Sequence, residues 1–281
     1  MSDVYRLYLK PSNHTIIVKT NSTSQWSRDL TDRFRSCQKE HQFYAELAKL
    51  INIQIPVCYC NRYDKDGRFL LVLEDIDHQT KGNLGNSEIT LAASCLADLH
   101  RTRITENIPT LTENIKAAES DLKKPSIENL FQNNVRDLLT HYAKNSEKFL
   151  VHFLGQPQVF SHMDFRLDNL AFTTNQLTLL DWGDFSTAPR GFDLAYFAVT
   201  SMSISQRRSI EKKFLDTYAA KSSGVRKNSL LQSYRLCLLP TVYLPVLMFQ
   251  LGEKALAKIF ANRLSAAIED HYQPIREQVS F

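Results

Sequence analysis

Oxygen-bearing side chains stand at short spacing near the middle of the chain. In "VFSHMDFRLDNLAF", Asp164 lies two residues after His162 and five before Asn169, and apolar runs flank the polar stretch. Asp181 closes the next apolar run, "LTLLD". Carboxylate and amide oxygens bind Mg²⁺, and an aspartate can accept the proton of an attacking hydroxyl. The alternative is a polar turn between strands, because aspartate is also an ordinary turn former.

Two residues nearer the N-terminus add to this set. Lys19 ends the β-prone run "TIIVKT", and Glu40 lies in a segment with helical periodicity. Each has an ordinary alternative, since most lysines and glutamates are solvated surface residues. The order lysine, helix glutamate, H-x-D-x-x-x-x-N and strand-terminal aspartate is nevertheless that of kinase-type phosphoryl transfer. In such a site the glutamate orients a lysine that holds the nucleotide phosphates, and Mg²⁺ neutralises the developing charge.

The elements that must position these residues form two groups. Residues 1–77 predict strand, strand, helix, strand, strand: "VYRLYL" and "HTIIVKT", then a helix over "RDLTDRFRSCQKEHQFYAELAKLI", then "VCYCNRY" and "RFLLVLED" around the turn "DKDG". The polar stretch "DIDHQTKGNLGNSE" is typical of a linker. Residues 78–281 predict a mostly helical lobe with short strands at "QVFS", "NLAF" and "LTLLD", and four helical stretches after Gly191.

The composition of the chain excludes several classes of protein. The chain has 281 residues, 43% hydrophobic and 23% charged, and a net charge of +4, with no dense basic run that would indicate nucleic acid binding. The N-terminus has no signal or transit pattern, and the apolar stretch 236–252 contains two prolines, which favours a buried helix over a membrane span. Five scattered cysteines without a CxxC pair predict reduced thiols in a cytoplasmic protein and argue against zinc.

The quoted motifs resemble those of the aminoglycoside phosphotransferase and choline kinase-like superfamily, which has a protein-kinase-like fold. "HMDFRLDN" resembles the catalytic loop of that superfamily, and "LLDWGDFSTAPRGFDLAYF" resembles its metal-binding aspartate followed by a helix start that contains Asp193. "QKEHQFYAEL" and "LLVLEDI" are similar to the helix glutamate and the hinge of the ecdysteroid-kinase-like branch, and the bacterial members of that branch are the closest match. The resemblance implies an α+β fold of two lobes, a small β-rich N-lobe and a larger helical C-lobe.

The same resemblance implies roles for particular residues. Asp164 is then the catalytic base, and Asn169 and Asp181 bind Mg²⁺. Lys19 pairs with Glu40 at the phosphates of ATP, and the hinge from Glu74 to Ile76 meets the adenine through backbone groups. His162 and Asp193 support the catalytic loop without reacting. His100, in "LADLHRT", is interpreted as a packed helix residue.

Two departures from the family pattern stand out. Met163 follows the catalytic-loop histidine where the family has glycine, which requires a backbone angle that a side chain can adopt. No glycine precedes Gly67, so the glycine-rich loop over the phosphates is expected to be absent or shortened. A misassigned start, a short kinase and a catalytically weak pseudokinase or nucleotide-binding scaffold all fit this feature. Retention of Lys19, Asp164, Asn169 and Asp181 favours a working enzyme.

The acceptor is expected to be the hydroxyl group of a small molecule bound among the C-terminal helices. From Ala195 to Phe281, twelve Lys and Arg face six Asp and Glu, which argues against a polycationic aminoglycoside. The apolar stretch 236–252 could line a pocket for a less polar alcohol, although core packing is the commoner fate of such a stretch. A protein kinase is disfavoured because no D-F-G or A-P-E motif is found. The sequence does not indicate an oligomeric state.

Overall fold

The computed structural model describes residues 2–11, 14–76, 84–104, 108–113, 115, 126–173 and 175–279. The described residues form a small sheet lobe and a larger helical lobe, which confirms the predicted α+β class. The predicted lobe boundary near residue 77 falls outside the described residues and stays a prediction. Below, the N-lobe is residues 2–76 and the C-lobe is residues 84–279.

The N-lobe contains β1 (Asp3–Leu9), β2 (His14–Thr20), α1 (Gln25–Phe34), α2 (Ser36–Gln42), β3 (Cys58–Tyr63) and β4 (Phe69–Glu74). The strands form one antiparallel sheet in the order β1-β2-β4-β3. Alternate residues of β4 are buried, because one face of the sheet packs on Cys37 of α2. This pairing places Lys19, near the end of β2, opposite Leu71 at the centre of the sheet.

The single helix predicted after β2 is divided. Arg35 adopts a left-handed backbone, with φ 57°, and separates α1 from α2. A π-helical turn, Phe43–Leu47, and a 3₁₀ turn, Ala48–Leu50, follow α2 directly. Phe43 and Leu47 are fully buried in the large hydrophobic core of the C-lobe. The divided helix therefore anchors the sheet lobe to the helical lobe, which a straight amphipathic helix would not do.

The C-lobe is built from helices with short strands set between them. Its helices are α3 (Asn86–Leu99), α4 (Ser126–Leu130), α5 (Asn133–Lys144), α6 (Ser146–Leu154), α7 (Gly191–Ser201), α8 (Ile204–Lys221), α9 (Lys227–Cys237), α10 (Tyr243–Gln250), α11 (Lys254–Asp270) and α12 (Tyr272–Gln278). Its strands are β5 (Gln158–Ser161), β6 (Leu170–Phe172), β7 (Leu177–Leu179) and β8 (Ser186–Pro189). β5 pairs with β8 and β6 with β7, both antiparallel.

The strands at "QVFS", "NLAF" and "LTLLD" were predicted, whereas β8 was not. The described residues contain six helices from Gly191 onward, so the prediction of four is wrong. One cause is Pro240, which opens a 3₁₀ turn, Pro240–Val242, between α9 and α10. Proline lacks the backbone N–H that a continuous α-helix needs.

By length and composition, one stretch of the described residues, Lys227–Gln250, could cross a membrane, but 72% of its most apolar window is buried inside the protein. Burial of that kind is typical of core helices. The stretch includes α9, which packs against the fully buried helix α7, and α10, whose Tyr243 ring lies against Tyr196 of α7. The prediction that the apolar segment 236–252 packs inside the protein therefore holds for most of its length.

Candidate active site

The loop between β5 and β6 carries Asp164, and polar contacts surround its carboxylate. Tyr196 of α7 donates its hydroxyl hydrogen to Oδ1 at 2.6 Å, and Asn169 donates from Nδ2 to Oδ2 at 2.8 Å. Arg166 Nε lies 3.4 Å from the same Oδ2. Burial raises the pKa of Asp164, although Arg166 and the two hydrogen bonds favour the ionised form. The result is a fixed carboxylate whose basicity is above that of an exposed aspartate.

Asp193, at the start of α7, forms hydrogen bonds with the backbone of this loop. Its carboxylate accepts hydrogen bonds from the N–H of His162 at 2.8 Å and from the N–H of Met163 at 2.9 Å. Met163 has φ 72°, in the left-handed region that side chains seldom occupy. Met163 thus adopts the backbone angle that this position requires, as expected, although the left-handed region is a costly one for a residue with a side chain. Two charge-assisted hydrogen bonds from Asp193 help to hold it there.

His100 contributes to the same support. It is 4% exposed at the end of α3, and its Nε2 lies 3.2 Å from Asp193 Oδ2. Its Nδ1 lies 2.7 Å from the hydroxyl of Tyr218 in α8. His100 is packed, as interpreted from the sequence, but it also links two helices to the carboxylate that positions the catalytic loop.

His162 lies inside the loop with both ring nitrogens engaged. Its Nε2 is 2.9 Å from the carbonyl oxygen of Leu180, and the N–H of Asp164 points to its Nδ1 at 3.3 Å. The Nε2–H tautomer satisfies both contacts. Burial lowers the pKa of His162, so the ring is neutral near pH 7. Through its hydrogen bond to Leu180, the neutral His162 ring connects the loop that carries Asp164 to the strand end that carries Asp181.

Lys19, Glu40 and Asp181 meet where the lobes face each other. Lys19 Nζ lies 2.7 Å from Glu40 Oε1 and 2.9 Å from Asp181 Oδ1. Burial alone would lower the pKa of Lys19, but the two carboxylates outweigh it and the net shift is upward. Lys19 lowers the pKa of Asp181, whereas burial raises that of Glu40. Glu40 is 3% exposed, so its charge depends on the lysine.

Two oxygens at this junction suit a hard cation. The side chain of Asp181 is 51% exposed, and its φ of 61° turns it out of the line of β7. The contact of Asp181 with Lys19 is made through Oδ1, so Oδ2 is a further oxygen on this partly exposed side chain. The amide nitrogen of Asn169 is held by Asp164, so its Oδ1 remains as an acceptor. No group of three or more His, Cys, Asp or Glu forms a metal cage within the described residues, so a Mg²⁺ ion here would also use phosphate oxygens and water.

Several site residues were missed or left unassigned. Asp184 follows Asp181 by three residues and accepts a hydrogen bond from Ser36 Oγ at 3.4 Å, and the D-x-x-D spacing was its available signal. Arg166 approaches Asp164 and Asp168, its Nη1 lying 3.6 Å from Asp168 Oδ2. Tyr196 had no sequence signal, because its contact with Asp164 depends on how α7 packs against the loop.

The predicted hinge follows β4. The N–H of Glu74 donates to the carbonyl oxygen of Val57 at 2.8 Å, and its carboxylate accepts from the N–H of Val57 at 3.1 Å. The Glu74 N–H is therefore used within the N-lobe and is not presented to a base. Asp75 binds Arg6 of β1 at 2.7 Å. Ile76 is the last described residue before the gap at 77–83.

An aromatic stack joins the lobes beside Asp181. The ring of Phe43, in the π-helical turn after α2, lies 3.9 Å from the ring of Trp182 at an interplanar angle of 5°. Trp182 is fully buried and directly follows Asp181. The helix that carries Glu40 and the strand end that carries Asp181 are thus fixed to each other by packing as well as by Lys19.

Residues 4–227 match the model of the phosphotransferase enzyme family, which covers every site residue described above. The chain belongs to the phosphotransferase enzyme family. No curated protein matches this phosphotransferase by sequence. The family match and the two-lobe architecture agree with the resemblance drawn from the motifs, while the closer relation to ecdysteroid-kinase-like members stays a prediction.

Solved structures of similar fold cover nearly the whole phosphotransferase. Aminoglycoside 2'-phosphotransferase-IIIa in its GDP complex superimposes with a TM-score of 0.64 at 14% identity, over 96% of this chain and 93% of that one. Choline kinase LicA from Streptococcus pneumoniae gives 0.62 at 19% identity, over 96% and 89%. A microcompartment-associated aminopropanol kinase gives 0.60 at 14% identity, over 97% and 92%. At these identities the similarity establishes the fold.

Proposed function

We propose that this phosphotransferase moves the γ-phosphate of ATP to a hydroxyl group of a small molecule, with Mg²⁺ as cofactor. The observation that carries the proposal is the position of Lys19, which is bonded to both Glu40 and Asp181, with Asp181 close enough to Asp164 to act on its carboxylate electrostatically. A buried lysine held by two carboxylates can bind nucleotide phosphates in place of part of its contact with those carboxylates. Solved structures of the same fold include GDP- and ADP-bound phosphotransferases, which supports a nucleotide as the donor.

In this proposal Asp164 receives the acceptor. An incoming hydroxyl hydrogen-bonds to its carboxylate, which aims the oxygen at the γ-phosphate and takes the proton as the new bond forms. The raised pKa of Asp164 makes it a better proton acceptor. Arg166, 3.4 Å away, would stabilise negative charge beside the reacting oxygen.

Asn169 and Asp181 would hold Mg²⁺ together with phosphate oxygens, and the ion supplies neutralisation of the charge that builds on the leaving group. Ile76 and the hinge backbone would meet the adenine. We infer a cytoplasmic enzyme, since ATP and reduced cysteines belong to that compartment; the five cysteines are free within the described residues.

The experiment that tests the proposal has two stages. Thermal unfolding of the purified protein, with and without ATP and Mg²⁺, measures nucleotide binding, because a ligand that binds only the native state raises the midpoint. Turnover of ATP is then measured against a panel of small alcohols for the unmodified chain and for Asp164→Asn. Loss of a general base is expected to lower kcat by about 10²- to 10⁴-fold.

Asp168→Asn is the matched control, because Asp168 lies in the same loop but its side chain is 68% exposed. It should retain most of the activity. Stabilisation by ATP without turnover of any acceptor would favour the alternative, a nucleotide-binding scaffold of the same fold. No stabilisation by ATP would contradict both.

A further inference from the structure

A cavity of about 170 Å³ opens beside Asp164. Its charged lining residues, among those described, are Asp164, Arg166 and Asp184, and the remainder are mostly apolar side chains and tyrosines. An enclosed cavity of about 150 Å³ is large enough for a benzene ring. The space next to the catalytic carboxylate therefore suits one ring or a short branched chain.

Helix α10 forms the wall opposite the catalytic loop. Tyr243, Leu244, Leu247, Met248 and Leu251 all line the cavity, at the spacing of one helical face. Leu247 and Met248 are only partly buried, so apolar surface faces the cavity. Covering that surface with an apolar ligand removes it from water, which is favourable. The apolar segment singled out in the sequence is therefore buried along most of its length and reaches this cavity near its C-terminal end, at Leu247 and Met248.

The charged lining residues of the cavity lie around Asp164, at the end where the proposed phosphoryl transfer takes place. Arg166 lies 3.4 Å from the carboxylate of Asp164. Asp184 accepts a hydrogen bond from the hydroxyl of Ser36. The charges of Asp164, Lys39 and Asp181 also act on Asp184. No other carboxylate lines the described part of the cavity. A cation placed against α10 would give up water for leucine and methionine contacts, and only the aromatic rings and the two carboxylates elsewhere in the described lining would compensate it, whereas a neutral apolar group gives up no such hydration.

We propose that the acceptor is a small neutral alcohol whose body is a single apolar ring or a branched hydrocarbon chain, bound against Leu247 and Met248 with its hydroxyl at Asp164. The inference rests on the proposed function and names its substrate class. It distinguishes this enzyme from the aminoglycoside, choline and aminopropanol kinases of similar fold. The excess of Lys and Arg over Asp and Glu from Ala195 to Phe281 also disfavours a cationic acceptor.

An isosteric pair of acceptors tests the inference on the unmodified enzyme. Choline and 3,3-dimethylbutan-1-ol have the same shape, but only choline is charged. We expect kcat/KM for the neutral alcohol to exceed that for choline by at least about 10-fold. Equal values, or a preference for choline, would overturn the proposal, as would better turnover of kanamycin than of any neutral alcohol.

A homologous series adds a quantitative readout. From ethanol to 1-butanol, kcat/KM should rise by about 4-fold for each carbon buried against α10. A flat series would also overturn the proposal. If ATP and Mg²⁺ stabilise the protein and a polar acceptor is turned over while the neutral alcohols are not, the proposed function stands and this inference fails. If ATP does not bind, the proposed function itself fails.

The variant Leu247→Glu places a carboxylate at the body end of the cavity. It should lower kcat/KM for 3,3-dimethylbutan-1-ol by at least about 10-fold and shift the preference towards choline, with KM for ATP unchanged. Val151→Glu is the control, since Val151 on α6 is 73% exposed and lines none of this cavity. An unchanged acceptor preference in folded Leu247→Glu would contradict the placement of the acceptor against α10.

Discussion

The ammonium group of Lys19 lies 2.9 Å from Oδ1 of Asp181, and this contact joins the sheet of the N-lobe to the chain segment that follows β7 in the C-lobe. The same nitrogen lies 2.7 Å from Glu40, whose side chain is almost completely buried. One lysine thus compensates two carboxylates that would otherwise repel each other. Its loss should affect both folding and catalysis, and the two effects can be separated.

Lys19→Met should destabilise the protein by about 3 kcal/mol at neutral pH, because Glu40 is left buried without a counter-charge. ATP turnover should fall by at least about 100-fold, as when a charge-stabilising donor is removed. Chemical denaturation and a coupled ATP assay measure the two effects. Lys148→Met, on the exposed side of α6, should change neither.

The double variant Lys19→Met/Glu40→Gln removes the uncompensated charge. It should recover most of the stability but none of the turnover. Recovery of both would show that Lys19 acts only through folding. A Lys19→Met single variant as stable as the unmodified protein would contradict the cost assigned to an uncompensated charge on Glu40.

The pH dependence of the reaction should report the environment of Asp164. Because the carboxylate is the active form, kcat/KM is lost as the pH falls through its raised pKa. Tyr196→Phe removes a hydrogen bond that favours the carboxylate, so the acid limb should move to higher pH. The profile is measured at saturating ATP. Tyr5→Phe, on β1 of the N-lobe where the side chain is exposed, is the control and should leave the acid limb in place.

At position 163 the glycine variant should be more stable than the alanine variant, which is the reverse of the usual order. At φ 72° a residue with a Cβ costs about 1 kcal/mol, so Met163→Gly should be more stable than Met163→Ala by roughly that amount. Both variants lose the buried side chain and should be less stable than the unmodified protein. Denaturant titration gives the difference. Met202, also buried but with φ −114°, is the control, and there alanine should be the more stable.

Gly191 should not tolerate a side chain. A Cβ at this position would lie 2.4 Å from the backbone carbon of Ser233 in α9, so α7 and α9 would have to separate. We expect Gly191→Ala to destabilise the protein by more than about 2 kcal/mol and to reduce activity through Asp193. Gly155→Ala is the comparison, since the nearest atom to its Cβ would be 3.5 Å away. A neutral Gly191→Ala variant would contradict the packing described here.

Spacing was enough to single out Asp164, Asn169 and Asp181 as residues that would lie near one another, because phosphoryl transfer needs oxygen-bearing groups in a particular order, and the structure does bring them together. The two lobes were also predictable from the change between strand and helix periodicity. The break at Arg35 was not, since nothing in an arginine indicates a positive φ. Tyr196 was not predictable either, because its contact with Asp164 spans 32 residues and depends on tertiary packing.

The stack of Phe43 on Trp182 restricts how the cleft can open. Phe43 lies three residues after Glu40, and Trp182 is covalently next to Asp181. A motion of the lobes that keeps the two rings stacked therefore also keeps the segments that carry Glu40 and Asp181 close together. Such a motion would leave both carboxylates within reach of Lys19.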